Sequence, residues 1–322
     1  MPNRLPRQRP HQRGAAIITA LLVVMLAATI ATYLLAQQSR ALTRTARATE
    51  RAQVTLYAEP TLDWARAVLF QGRNDTRTAL TDPWAQPIAA QPLFNADGSS
   101  SVFASGLMHD ETGKFNLNNL VKDDRTASQD DIDIFKRLLK NLKLNPDLSD
   151  AVVDWLDKDS DTRPNGAEDG YYMNLAVPYR TANQPMVQWQ ELARVRGFDA
   201  AIMRRLAPFV TALPKRTKIN VNTAPIEVIA ALSDDISGED AAMLVRSRET
   251  LPFLTNDDVI QYVPSLKKTW PTISPYVGFK SDYFSVTIAI TGEAAAAHQT
   301  ALLERPQSTP AGWPRIIWVQ AQ

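Results

Sequence analysis

The hydrophobic pattern of the chain opens on an uncharged run from Ala15 to Ala36. At about 1.5 Å of rise per residue, a helix over this run is about 33 Å long and crosses the apolar core of a bilayer. Beyond it, Arg40, Arg44, Arg47 and Arg51 recur at three- and four-residue spacing, which puts them on one helical face. That face is either solvated or turned to lipid head groups or acidic neighbours. Pro60 predicts a break or kink, because proline removes a helical donor, and Leu62 to Phe70 resumes the helix. Residues 72–101 are rich in turn formers and read as loops. Alternation then predicts strands over Val102–Leu107 and Lys114–Leu117. From Ser128 the period changes, and Ile132, Phe135, Leu138, Leu139 and Leu142 fall on one helical face. Further short helices are predicted over 148–156, 188–195, 200–213, 225–232, 239–248 and 256–262, with Asp199, Thr223, Ser237 and Thr255 as start signals. Strand alternation returns at Tyr283, and 298–304 and 316–319 supply two more strands. The order of long helix, strands, helical block and strands predicts an α+β fold in which an all-α unit is inserted within a β region.

Composition narrows what this architecture can do. The chain has 322 residues, 45% of them hydrophobic, and a formal net charge of +1. A core of useful size is available, and a strongly basic nucleic-acid surface is not indicated. With no cysteine, disulfides, thiolate metal sites and a thiol nucleophile are excluded. His11, His109 and His298 are too far apart in sequence to suggest a zinc site or a catalytic triad. None of the G-x-S-x-G, phosphate-loop, G-x-G-x-x-G or H-E-x-x-H patterns occurs, so no enzymatic activity is expected.

Three segments carry chemistry. At the N-terminus, Arg4, Arg7, Arg9 and Arg13 precede the apolar run with no acidic residue among them, which favours a cytoplasmic start. The later arginines weaken that bias. A signal peptide cut near Thr29-Ile30-Ala31 and a plain membrane anchor are both open readings. In the middle, Asp157, Asp159, Asp161, Arg163, Asn165 and Glu168 take positions 1, 3, 5, 7, 9 and 12 of a calcium-loop pattern, with Asp169 as an extra donor. Thr162 stands where an EF-hand needs glycine, so the geometry must differ, and a plain acidic turn is the alternative. Third, Asn220-Val221-Asn222-Thr223-Ala224-Pro225 resembles the opening of a helix-hairpin-helix unit, with Ile236-Ser237-Gly238 at the hairpin. Asp234, Asp235, Glu239 and Asp240 crowd that hairpin and would repel phosphate, so Asn220 and Asn222 are expected to bond loop backbone.

These segments, in order, carry a family resemblance. The basic leader, Gly14 and the apolar run from Ala15 resemble the type III signal of pilins and pseudopilins. A prepilin peptidase cuts that signal between Gly14 and Ala15 and methylates the new N-terminus. The runs 113–120, 154–172 and 219–225 resemble the K-type minor pseudopilins of type II secretion systems. Such proteins usually carry Glu at the fifth mature position, whereas Thr19 stands here, as is similar to the K type; a subunit without that Glu needs no neighbour above it.

The resemblance implies a pilin-like fold, with a long N-terminal transmembrane helix packed on an antiparallel sheet and an inserted helix-hairpin-helix or SAM-like domain. It divides the chain into a leader at 1–14, a transmembrane segment at 15–36, the long helix and first strands at 37–125, the helical insertion at 126–280 and closing strands at 281–322. It implies a place at the tip of a periplasmic pseudopilus, a single-pass inner-membrane anchor, and the I and J minor pseudopilins as partners, with H as a further one. It also implies calcium held by Asp157, Asp159, Asp161, Glu168 and Asp169, and no nucleic acid. A membrane-anchored DNA-uptake protein is the rival reading.

Overall fold

The computed structural model describes residues 13–94, 98, 100, 102–292, 295–306 and 312–321. The basic leader with Arg4, Arg7 and Arg9, together with His11, lies outside the described residues. Helix α1 (Arg13–Leu56) contains a span, Ile17–Thr49, with a mean hydropathy of 2.4 and none of it buried. Gly14 and Ala15 lie in its first turn. Arg40, Arg44 and Arg47 are exposed along it.

The chain breaks at Tyr57, and α2 (Ala58–Gln71) follows, so the interruption comes before Pro60 rather than at it. Pro60 sits within the first turn of α2, where the missing N–H has no helical acceptor in any case. One face of α2, carrying Leu62, Ala65 and Leu69, is buried against a five-stranded antiparallel sheet. Its order is β1-β2-β7-β8-β9, from β1 (Ile88–Leu93), β2 (Val102–Asp110), β7 (Tyr283–Thr291), β8 (Ala296–Glu304) and β9 (Arg315–Ala321). Strand alternation puts Val102, Ala104 and Met108 of β2 and Phe284, Val286, Ile288 and Ile290 of β7 under α2. The other face shows Ser285 and Thr287. Strand β1 falls inside the region expected to be loop, and corrects that expectation.

Between β2 and β7, which are neighbours in the sheet, the chain leaves and builds a second module. It contains α3 (Gln129–Asn141), α4 (Leu148–Leu156), α5 (Asp169–Tyr172), α6 (Ala200–Leu206), α7 (Ile226–Ala231), α8 (Gly238–Thr250), α9 (Asn256–Tyr262) and α10 (Trp270–Ile273). Two parallel strand pairs hold it together: β3 (Phe115–Asn116) with β4 (Val210–Thr211), and β5 (Ile219–Asn220) with β6 (Val277–Gly278). The strand expected at Lys114–Leu117 therefore joins this module and not the main sheet. Phe115 and Leu117 are buried in the helical core, ahead of the division expected at 125/126. The 200–213 helix is shorter than expected, because Val210 and Thr211 turn to pair with β3. Asp199, Ser237 and Thr255 cap their helices, and Thr223 serves as a turn residue ahead of α7, with Pro225 at that helix's N-cap.

The two modules have separate apolar cores. The larger one runs from Phe115 to Val277, and the core under α2 shares no residue with it. The helical module sits on one pole. Gln299 Nε2 donates to the Ala58 carbonyl at the start of α2, and Arg305 Nη1 donates to the Gly72 carbonyl just past its end. Strand β8 thus runs alongside α2, with its Glu304 end at the α2 C-terminus. Its antiparallel register pairs Glu304 with Tyr283, and β2 reaches Asp110 opposite Phe284 at that same end. The helical module leaves from there, at the pole opposite α1.

Candidate metal centre

Helix α4 is buried along almost its whole length, with Ala151, Val152, Val153, Trp155 and Leu156 in the helical core. Three carboxylates interrupt its apolar run at four- and three-residue spacing: Asp150, Asp154 and, at its C-terminal boundary, Asp157. Residues at that spacing share one face. The following loop folds back over that face through its own backbone. Asp154 Oδ2 accepts from the Arg163 amide at 3.1 Å, and Asp150 Oδ2 accepts from the Asn165 amide at 3.3 Å. The Gly166 amide donates to the Arg163 carbonyl at 3.0 Å, and Arg196 Nη1 donates to the Gly166 carbonyl at 2.8 Å. A Cβ on Gly166 would lie 1.9 Å from Asp154 Oδ2, so only glycine allows this approach.

This folding brings together Asp157, Asp159 and Glu168, each offering an oxygen within 4.8 Å of the others. Asp157 and Glu168 are buried; Asp159 is exposed. Asp157 Oδ1 and both Glu168 carboxylate oxygens have no hydrogen-bond partner among the described residues, and nor does Asp154 Oδ1. Arg163 Nε approaches that last oxygen only to 3.7 Å. Buried charge without partners is costly. Burial, reinforced by the charge of Asp159 and then of Asp154, pushes the Asp157 carboxyl up to about 7. Burial, reinforced by Asp154 and Asp157, pushes Glu168 up to about 7. Burial raises Asp154 to about 6, against the opposing hydrogen bond from the Arg163 amide.

Calcium bonds oxygen at about 2.3–2.6 Å, so oxygens on one ion lie up to about 5 Å apart. The spacing of the three carboxylates fits a single hard cation, and the donor set is all oxygen.

Two of the expected donors are elsewhere. Asp161 is exposed, and its amide donates to Asp159 Oδ1 at 3.0 Å, so its backbone orients a neighbour's carboxylate. Asp169 Oδ1 accepts from the Thr181 amide at 2.9 Å and from Thr181 Oγ1 at 2.8 Å. Those bonds hold its carboxyl below the usual range. Both lie outside the cluster of Asp157, Asp159 and Glu168. Asp154 and Gly166 were not among the expected site residues. The signal for Asp154 is in the sequence: a carboxylate in an otherwise apolar helix, in step with Asp150 and Asp157.

Asn222 bonds loop backbone as expected, donating to the Phe253 carbonyl at 2.8 Å and accepting from its amide at 2.8 Å. Asn220 also bonds loop backbone as expected, its Oδ1 accepting from the Asn222 amide and its Nδ2 donating to the Thr78 carbonyl, each at 3.0 Å, and it further reaches the side chains of Asp110 and Ser281. Helices α7 and α8 form the expected hairpin. Its turn is closed by Ser237 and Asp240 in a reciprocal capping box, which occupies the Ser237 and Asp240 amides and sets a carboxylate at the helix start.

The family described as type II secretion system protein K matches residues 113–215 and again 219–272. Protein K of Pseudomonas aeruginosa is 34% identical over 290 residues, which cover 86% of this chain and 84% of the relative. Protein K of Pectobacterium carotovorum is 32% identical over 321 residues, covering 92% and 93%. A solved structure of the GspK-GspI-GspJ complex from enterotoxigenic Escherichia coli has the same fold, with a TM-score of 0.72 at 23% identity, covering 87% of this chain and 99% of that one.

Proposed function

Because this chain belongs to the protein K family of type II secretion systems, the minor pseudopilins, we propose that it caps the tip of a periplasmic pseudopilus and supports its initiation, without catalytic activity of its own. One observation carries the tip placement: the helical module crowns the pole opposite α1, where the next subunit of a stacked filament would have to sit. In this reading the helix from Ala15 anchors the chain once in the inner membrane after a prepilin peptidase cuts behind Gly14. The rest of the chain stands in the periplasm, and the I and J pseudopilins, with H, are its neighbours. Support for I and J comes from the structural relative, which was solved as a complex with them. In purified pseudopili, gold label on an epitope in the helical module should mark one end of each filament. Label spread along the shafts would overturn the reading.

The acidic loop serves the same role as a calcium site. Asp157, Asp159 and Glu168 would hold the ion, with Asp161 and Asp169 ordering the loop around them. The unpartnered buried oxygens of Asp157 and Glu168 support this. The ion supplies positive charge to a loop that otherwise presses carboxylates together.

A further inference from the structure

The polar residues where the two modules meet have no part in the calcium site or the membrane anchor. The chain crosses between modules here, at the end of β2 and again before β7. Asp110, the last residue of β2, is buried, yet no basic side chain hydrogen-bonds to it among the described residues. Its carboxylate accepts from Thr112 N at 2.8 Å, from the Ser281 and Thr223 hydroxyls at 2.5 Å each, and from Asn220 Nδ2 at 3.2 Å. Asn220 Nδ2 is also 3.0 Å from the Thr78 carbonyl and 2.7 Å from Ser281 Oγ. Thr78 follows α2 and belongs to the sheet module. Arg305, at the end of β8, donates to Thr78 Oγ1 at 2.6 Å and to the Ser281 carbonyl at 2.9 Å. Four backbone segments that are remote in sequence, at 78, 110, 220–223 and 281, therefore converge on one carboxylate and one amide.

We infer that Asp110, Asn220, Thr223 and Ser281 are positioning residues: they form a clasp that fixes the helical module at one angle on the sheet module. Three features converge on this. The two apolar cores share no residue, so packing within either core leaves their mutual orientation open. The buried apolar cluster that joins the modules is small, with Leu213 against Tyr283 and Leu302 and the half-buried Trp318 packed on it. Hydrogen bonds depend on direction, and all of these are buried except the half-buried one from Thr223, so a rotation about the two crossings would strand a carboxylate, an amide and the Ser281 hydroxyl away from water. Backbone contacts reinforce the joint. The Asn220 amide donates to the Thr112 carbonyl at 3.0 Å, and the Thr78 amide donates to the Phe279 carbonyl at 2.8 Å. Gly113 adds a close approach, since a Cβ there would lie 2.5 Å from Thr223 Oγ1. The segment around Asn220 is thus used as an internal joint.

The inference does not depend on tip placement and is read on the isolated chain. Because the chain has no cysteine, Gln71→Cys and Arg246→Cys carry the only spin labels, one on each module. In detergent-solubilised full chain, pulsed dipolar spectroscopy should give one narrow distance. Thr223→Val with Ser281→Ala should broaden or split it while helix content is kept, and Thr223→Ser alone should leave it narrow. Asp110→Asn should act like the double variant. If it fails to fold, the double variant decides, because that variant leaves the carboxylate and its Thr112 amide bond in place. On the unaltered protein, the Asn220 and Thr78 amides should exchange as slowly as those of β7. An unchanged narrow distance in the double variant, or fast exchange at both amides, would overturn the clasp.

Discussion

Asp157 and Glu168 set the chemistry of the acidic loop through their positions rather than their type. Both titrate near neutrality in the folded chain, at about 7, against ordinary values of 3.8 and 4.5. A carboxyl raised in the folded state binds more protons folded than unfolded, so stability falls as pH rises from the unfolded value through the folded one. Without divalent ions, the melting temperature of the helical module should drop between about pH 5 and about pH 8. Calcium binds the ionised form, so its stabilising effect should be small at about pH 5 and large at about pH 8. At free calcium about a hundred times the dissociation constant the gain is about 2.7 kcal/mol. Melting curves with calcium and with chelator at both pH values check the sign, and coincident curves at about pH 8 would return the loop to a plain acidic turn. Gly166→Ala drives a methyl into the Asp154 carboxylate. Overpacking of that kind costs about 1–3 kcal/mol, and here it also displaces the loop, so calorimetric calcium affinity should fall with it. Asp157, Asp159 and Glu168 were legible from the calcium-loop spacing. Asp161 fits the same spacing and Asp169 follows it as an extra donor, yet both fall outside the cluster, because a spacing rule borrowed from the EF-hand cannot show that Thr181 captures Asp169.

At the scale of elements, legibility followed burial pattern. Strand β7 alternates buried and partly exposed residues from Phe284 to Ile290 and was legible. The edge strand β1 carries Pro92 and two alanines and has no buried residue, so its sequence lacks the alternation that marks a strand. Phe115 and Asn116 look like a strand and are one, but two residues cannot reveal their partner, and Val210 lies across a long stretch of chain. Helix α1 carries the prediction at this scale. It is continuous from Arg13 through the apolar run, so a cut behind Gly14 leaves the whole membrane-spanning length in the mature protein. Intact mass of the membrane-extracted protein should correspond to a start at a methylated Ala15, and Gly14→Val should block the cut. A start near Thr32 would instead identify an ordinary signal peptide.

For the whole molecule, the helical module enters and leaves through adjacent strands, with Asp110 opposite Phe284 in the β2–β7 ladder. The sheet therefore treats everything between those residues as one oversized hairpin loop. Closing the same two strands needs only a two-residue turn such as Asn-Gly. A chain in which Asn-Gly replaces residues 111–283 should keep β1, β2, β7, β8 and β9, retain strand content by circular dichroism, and lose all response to calcium. Collapse of the strand signal would show that the sheet depends on its insert. The geometry also bears on descent. A filament subunit that already had this sheet order and strand register would need no change in either to become a subunit of this shape. A single insertion of coding sequence at one turn is enough, and later substitutions at Asp110 and Ser281 can fasten the new cargo in place.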